Sequence, residues 1–132
     1  MYEKRLFISH SWTYSEPYLS MVRLLANRPY FSFKNFSVPE TKAFGLTSQY
    51  KLKEGLRQQI RPVHCVIIIG GMWTSHSDWI QFELDFAHSI GKPILGVRPR
   101  GAQRMPVAIT QKANFIVNWN SDSIVRGVRS IS

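Results

Sequence analysis

The chain has 132 residues, 44% hydrophobic and 13% aromatic, which excludes a disordered protein and fits a single domain over residues 1–132. It has no run of about 20 apolar residues, no signal-peptide pattern and only one cysteine, Cys65, so we expect a cytosolic protein with no membrane partner and no internal disulfide. The net charge of +9 permits an anionic partner, but its cations are scattered, and nucleic-acid binding is not expected.

The first half of the chain alternates between short apolar runs and helical periodicity. The patterns predict, in order, a strand over residues 5–9, a helix from Ser15 to residues 27–29, an irregular strand over residues 31–36, a loop over residues 39–47 and a helix with Leu52, Leu56 and Ile60 on one face. Pro62 ends this helix, because a proline disfavours the helical conformation of the residue before it.

The clearest strand is the sequence VHCVIII at residues 63–69. An uninterrupted apolar run of this length is typical of a strand buried on both faces, as in a parallel sheet. It also predicts that the Cys65 thiol is buried and inert. Gly70 and Gly71 end the strand, either to form a turn or to let the backbone approach a ligand.

Two helices and two strands complete the pattern. We predict a helix from a capping box at Ser75 and Asp78 to residues 90–91, strands over residues 93–97 and 114–117, and a final helix from Ser121. Alternating units of this length predict an α/β fold, in which helices cover both sides of a five-stranded, mainly parallel sheet. The flavodoxin-like strand order 2-1-3-4-5 suits five strands.

A carboxylate lies on the apolar face of the helix over residues 77–90. At about 100° per residue, Glu83 falls within the arc occupied by Trp79, Phe86, Ala87 and Ile90. A buried, ionised carboxylate is costly unless it is paired, hydrogen-bonded, protonated or next to a cavity. Two interpretations stay open: a structural ion pair, or a carboxylate tuned for chemistry in a cleft.

Polar residues follow the predicted strands at the edge where Glu83 would lie. Ligands of open parallel sheets bind beyond the carboxyl ends of the strands. The first strand delivers Ser9, His10 and Ser11 to this edge, and the fourth delivers Arg98. The arginine either holds a pyrophosphate or belongs to a solvated basic loop.

No motif indicates a metal or a bound cofactor. The four histidines lack metal-ligand spacing with Cys65, and both G-x-G-x-x-G and the phosphate-binding P-loop are absent. Ser11 lacks the G-x-S-x-G turn of a serine hydrolase. We therefore expect neither a metal nor a cofactor.

Three short segments form a distinctive set: FIS at residues 7–9, the spacing S-x-W-x-x-x-E of Ser77, Trp79 and Glu83, and GKPI at residues 91–94. This set resembles the TIR (Toll/interleukin-1 receptor) superfamily. More closely, the chain is similar to the compact TIR-like proteins that include the sensors of Thoeris anti-phage defence. The resemblance extends over essentially the whole chain.

The resemblance implies that Glu83 acts on NAD⁺, which would be a substrate and not a cofactor, and that Ser9 helps to line the pocket. Catalytic members of the family cleave the nicotinamide–ribose bond and then hydrolyse, cyclise or transfer the ADP-ribose moiety. In defence systems the product is a messenger for a separate effector. The resemblance also implies self-association. Trp79 either stacks on an aromatic ring of the substrate or belongs to the core.

Other functions compete with this one. A non-catalytic TIR-like scaffold would signal by self-association alone, and the loop over residues 38–47 does not match the usual TIR loop that closes the site. A flavin-binding or receiver protein could share the fold. A receiver needs a phosphoacceptor aspartate after the third strand, where this chain has Gly70 and Gly71.

Overall fold

The computed structural model describes residues 3–9, 16–37, 49–70, 73–98 and 105–132, with the side chains of residues 49–52 and 73–78 outside that description. In these segments strands and helices alternate along the chain. In order they are β1 (Lys4–Ile8), α1 (Glu16–Ala26), β2 (Phe33–Asn35), α2 (Gln49–Ile60), β3 (Cys65–Ile69), α3 (Trp73–Ser89), β4 (Ile94–Val97), α4 (Val107–Lys112), β5 (Phe115–Val117) and α5 (Ser121–Ile131).

The five strands form one sheet in the order β2-β1-β3-β4-β5, and every neighbouring pair is parallel. This confirms the predicted α/β, flavodoxin-like fold and its strand order. The register pairs Leu6 with Cys65 and Ile67 with Leu95. All carboxyl ends of the strands therefore meet at one edge, which is called the carboxyl edge below.

Strands β3 and β4, in the interior of the sheet, are buried along their whole length. All five residues of β3 and all four of β4 are buried, as expected for parallel strands covered by helices on both faces. Cys65 is among them, and burial raises the pKa of its thiol to about 12. The prediction of a buried thiol is confirmed, and a thiol with so high a pKa is not a nucleophile at neutral pH.

Several element boundaries differ from the predictions. Helix α3 begins at Trp73, so Ser75 lies in its first turn and the predicted capping box is wrong. Strand β2 keeps only three of the six predicted residues. The short helix α4 was not predicted, because its β-branched residues (Val107, Ile109 and Thr110) have low helix propensity.

The predicted end of α3 is confirmed in detail. Gly91 has φ +74°, the left-handed conformation that favours glycine. Its backbone N–H donates to the carbonyl of His88 at 3.1 Å, and that of Lys92 donates to Ala87 at 2.9 Å. These two bonds form a Schellman motif, which directs the chain from α3 into β4.

In the part of the chain that the structure describes, no helix is both long enough and apolar enough to cross a membrane.

Candidate active site

A serine and a glutamate from distant parts of the sequence meet at the carboxyl edge. Ser9 directly follows β1, and its backbone N–H donates to the carbonyl of Ile67 at 2.8 Å. Its hydroxyl donates to Oε1 of Glu83 at 2.7 Å. Ser9 is completely buried and Glu83 is 1% exposed, so this hydrogen bond lies out of contact with bulk water.

The helix face that carries Glu83 is turned into the protein. Ile80, Leu84 and Ala87 on the same helix are completely buried, whereas Asp85 is exposed on the opposite side. The prediction that Glu83 points inward is confirmed. Burial of a carboxyl among aliphatic side chains removes the water that would otherwise stabilise its charge.

The predicted neighbours of Glu83 need a correction. Ile90 is 40% exposed and lies beyond the end of α3. Phe82 and Phe86 stack on each other, with ring centroids 6.4 Å apart, under cationic side chains of α2. The buried face of α3 is thus centred on Ile80, Leu84 and Ala87, and Glu83 lies beside that centre.

No cation neutralises Glu83 in the described part of the chain. Burial raises the pKa of its carboxyl to about 8, and the hydrogen bond from Ser9 opposes that rise because it favours the charged form. In the free protein the carboxyl therefore holds a proton below about pH 8. The structural ion pair that the sequence left open does not form among these residues.

Charged side chains of the neighbouring helices contact residues of α3 other than Glu83. Arg57 of α2 lies 5.2 Å from the Phe82 ring and 5.9 Å from the Phe86 ring. Lys112 of α4 pairs with Asp85. Burial and the Ser9 hydroxyl, and not a nearby charge, therefore set the pKa of Glu83.

Two other predicted site residues lie farther from the pair. Trp79, one helical turn before Glu83, is partly buried and packs against the core, which leaves part of its ring accessible. Arg98 is exposed after β4, and its Nη1 donates to Oδ1 of Asn118 at 3.2 Å. Strand β3 separates β4 from β1, so those two strands lie about 10 Å apart, and the register sets Arg98 two residues further toward the carboxyl edge than Ser9.

The family model described as Thoeris protein ThsB, TIR-like domain, matches residues 7–104. The chain belongs to this family. A comparison with curated proteins found no match. Both Ser9 and Glu83 lie within the matched range, and membership gives the chain a role in Thoeris anti-phage defence.

Several predictions for this TIR-like domain lie outside the described residues. They concern the substrate-binding residues His10 and Ser11, the N-cap Ser15, the glycine at 71 and the loop over residues 39–47. The described residues contain no group of three or more His, Cys, Asp or Glu side chains that could hold a metal ion.

One further residue at this edge of the TIR-like domain, Ser37, was not predicted from the sequence. This buried serine follows β2, and its hydroxyl makes two hydrogen bonds to the backbone of Ile8, the residue before Ser9. A serine between Phe36 and Val38 at the end of a short strand was the only signal in the sequence. Its contacts with Ile8 join residues that are 29 positions apart, and local patterns do not predict such contacts.

Proposed function

We propose that this TIR-like domain cleaves the bond between nicotinamide and ribose in NAD⁺, and that Glu83 is the catalytic carboxylate. The observation that carries the proposal is a single carboxyl, 1% exposed, which no described cation neutralises and which a serine hydroxyl holds at the carboxyl edge of a parallel sheet. Ligand crevices of open α/β sheets lie at this edge, and perturbed carboxyls concentrate at functional sites.

The reaction suits one carboxylate. The bond from C1′ of the ribose to the pyridinium nitrogen breaks, and its electron pair neutralises the ring, so nicotinamide leaves without a general acid. Water then bonds to C1′ and loses a proton, or a nitrogen of the adenine ring bonds there and closes a cyclic product. Ordinary glycosidases need a second carboxyl to protonate the leaving oxygen, and this reaction does not.

Burial of Glu83, which raises the pKa of its carboxyl, also gives the site its electrostatic function. The ionised carboxylate stabilises the positive charge that develops on the ribose, and such stabilisation is strongest where water is excluded. The cationic nicotinamide ring favours the same ionised form, so substrate binding at neutral pH releases the proton that Glu83 holds in the free protein. Ser9 keeps one carboxylate oxygen in a fixed position.

The remaining site residues have supporting roles in the proposal. The accessible part of the Trp79 ring offers a surface on which an aromatic ring of NAD⁺ stacks. The exposed guanidinium of Arg98 binds the pyrophosphate. His10 and Ser11 follow Ser9 directly in the sequence and bind the ribose or nicotinamide. The product is a messenger for a separate effector, and the domain works in the cytosol as a self-associated assembly.

The test is to incubate concentrated protein with NAD⁺, with and without extract from phage-infected cells, and to separate the products. We expect nicotinamide release from the wild type and a loss of about 100- to 1000-fold in Glu83→Gln, because removal of a central electrostatic group costs this much. Asp85→Asn, on the exposed side of the same helix, should keep full activity. Equal release by wild type and Glu83→Gln would refute the assignment.

A non-catalytic scaffold is the second candidate. It is favoured by exposed apolar side chains at the sheet's β5 side, among them Phe115 at 51% and Val107 at 67%. Such a scaffold would self-associate equally well with Glu83→Gln and would release no nicotinamide at any protein concentration. Product analysis and light scattering on the same samples therefore separate the two functions.

A further inference from the structure

The hydrogen bonds between β1 and β2 change at the carboxyl end of β1, where a side chain bonds to the backbone of Ile8. Along the strands the bonds join backbone groups: Lys4 N–H donates to the carbonyl of Ser32 at 3.0 Å, and Phe36 N–H donates to that of Leu6 at 2.8 Å. A parallel ladder would continue with Ile8 bonded to backbone groups of residues 36 and 38.

The hydroxyl of Ser37 bonds to both of these backbone groups of Ile8. It accepts from the N–H of Ile8 at 2.8 Å and donates to the carbonyl of Ile8 at 2.7 Å. Ser37 is only 7% exposed, so water does not readily replace the hydroxyl. One side chain thus provides the hydrogen-bond partner for two buried backbone groups at the end of β1.

This arrangement fixes the peptide unit between Ile8 and Ser9 from both sides. Its carbonyl accepts from Ser37 on the β2 side, and its N–H, which belongs to Ser9, donates to Ile67 at 2.8 Å on the β3 side. A planar peptide unit fixes the position of the Cα atom that follows it. The plane held by Ser37 therefore holds the Cα of Ser9 at the place from which the Ser9 hydroxyl donates to Glu83.

We propose that Ser37 is a positioning residue of the active site, which acts on Glu83 through the Ile8–Ser9 peptide and the Ser9 hydroxyl. The inference rests on the proposed function of Glu83 for its catalytic consequence. It concerns a residue that lies on the β2 side of β1 and makes its hydrogen bonds to Ile8 and Asn35, whereas Glu83 bonds to Ser9.

A side-chain network holds Ser37 in turn. Its backbone N–H donates to Oδ1 of Asn35 at 2.9 Å, a short turn typical of asparagine two residues earlier. The Asn35 amide donates to the hydroxyl of Tyr18 on α1 at 3.0 Å. The backbone of Ser37 is thus tied to Asn35 on β2 and, through Asn35, to α1, which restricts the positions that the Ser37 hydroxyl can adopt.

The first test is a double-mutant cycle on nicotinamide release. Ser9→Ala should lower kcat by about 10- to 100-fold, and Ser37→Ala by roughly tenfold, because a misplaced group near the reaction costs about this much. If Ser37 acts through Ser9, the double variant should lose no more than Ser9→Ala alone. Ser37→Thr, which keeps the hydroxyl, should restore most of the rate.

The second test needs no activity. The carboxyl carbon of Glu83 is followed by NMR while the pH of glutamate-labelled protein is raised. Loss of the Ser9 hydrogen bond favours the protonated form, so the midpoint should move upward in Ser9→Ala and in Ser37→Ala. It should stay unchanged in the control Ser20→Ala, whose buried hydroxyl bonds to Glu16 on α1.

Each outcome decides the inference. Additive losses of rate in the double variant, or an unchanged Glu83 midpoint in Ser37→Ala, would overturn it. If Ser37→Ala does not fold, Asn35→Ala replaces it and should give a smaller effect that again disappears in the Ser9→Ala background. Wild-type protein without NAD⁺ turnover would refute the proposed function, while the NMR titration would still decide whether Ser37 positions Ser9.

Discussion

Glu83 imposes a cost on the folded state that depends on pH. Its side chain is 1% exposed, and the hydroxyl of Ser9 compensates only part of the lost hydration. Folded proteins tolerate such a group where it serves function. The buried carboxyl therefore makes the free energy of unfolding fall as pH rises. A carboxylate in a structural ion pair would have the opposite effect.

Glu83→Gln should stabilise the protein at alkaline pH. The folded-state pKa of about 8 lies above the ordinary value of 4.5, so the unfolded chain loses this proton first and stability falls as pH rises between the two values. The variant keeps the acceptor for Ser9 and removes that loss. We expect similar stability near pH 4.5 and a gain on the order of a few kcal/mol at pH 9, measured by urea unfolding. A less stable variant at pH 9 would contradict this.

Helical spacing was enough to predict that Glu83 is buried, but it placed the centre of the buried face wrongly. Helix α3 has two apolar contacts: Ile80 and Leu84 lie in the core, whereas Phe82 and Phe86 lie under cations of α2. Helical periodicity counts both groups of apolar residues together and therefore predicts a single buried face. The sequence alone does not separate them, because Phe and Ile are equally apolar.

At the scale of elements, side chains complete the backbone hydrogen bonds at both ends of β1. At the amino end, Nδ1 of His64 accepts from the N–H of Arg5 at 2.8 Å, while the N–H of His64 donates to the Arg5 carbonyl at 2.8 Å. At the carboxyl end Ser37 has the corresponding role on Ile8. Such contacts join distant segments. Local sequence patterns therefore predict the strand but not the side chains that complete its hydrogen bonds.

The turn after α3 was predictable, because glycine is the residue that ends helices in the left-handed conformation. Gly91 has φ +74° and no atom within 4 Å of the place where a Cβ would lie, so only its backbone opposes substitution. Gly91→Ala should cost about 1 kcal/mol in urea unfolding. Gly91→Asn should cost less, because asparagine tolerates this conformation. An unchanged stability in Gly91→Ala would show that the turn is not strained.

At the scale of the whole molecule, the segment beyond the family match completes the core. Residues 105–132 supply β5 against β4 and α5, whose Ile124 and Val128 are completely buried. Gly127 allows α5 to approach the sheet, since a Cβ there would lie 2.8 Å from Leu95. The strand order followed from the alternation of elements, because parallel crossovers leave few topologies. The six-residue α4 could not be predicted from the sequence, since packing and not helix propensity stabilises it.

Deletion of residues 105–132 should abolish the cooperative fold. Strand β4 would become an edge whose apolar residues face water, and each buried aliphatic side chain that is exposed costs about 1.5–3 kcal/mol. A few such losses exceed the roughly 5–15 kcal/mol that stabilise a typical domain. We expect aggregation and loss of the thermal transition by circular dichroism, with the full chain as control. A truncated protein that unfolds cooperatively would show that the matched range folds alone.

Glu83 must become ionised before it acts. The most direct measurement is kcat/KM for nicotinamide release from NAD⁺ between pH 5.5 and 9.5, with wild type and Glu83→Gln. The ratio reports ionisations of the free enzyme, so wild-type kcat/KM should rise with pH and reach half of its maximum near pH 8, the pKa of the buried carboxyl. Glu83→Gln should show no such rise. A wild-type rate independent of pH, or the same profile in Glu83→Gln, would contradict the assignment of Glu83 as the catalytic group.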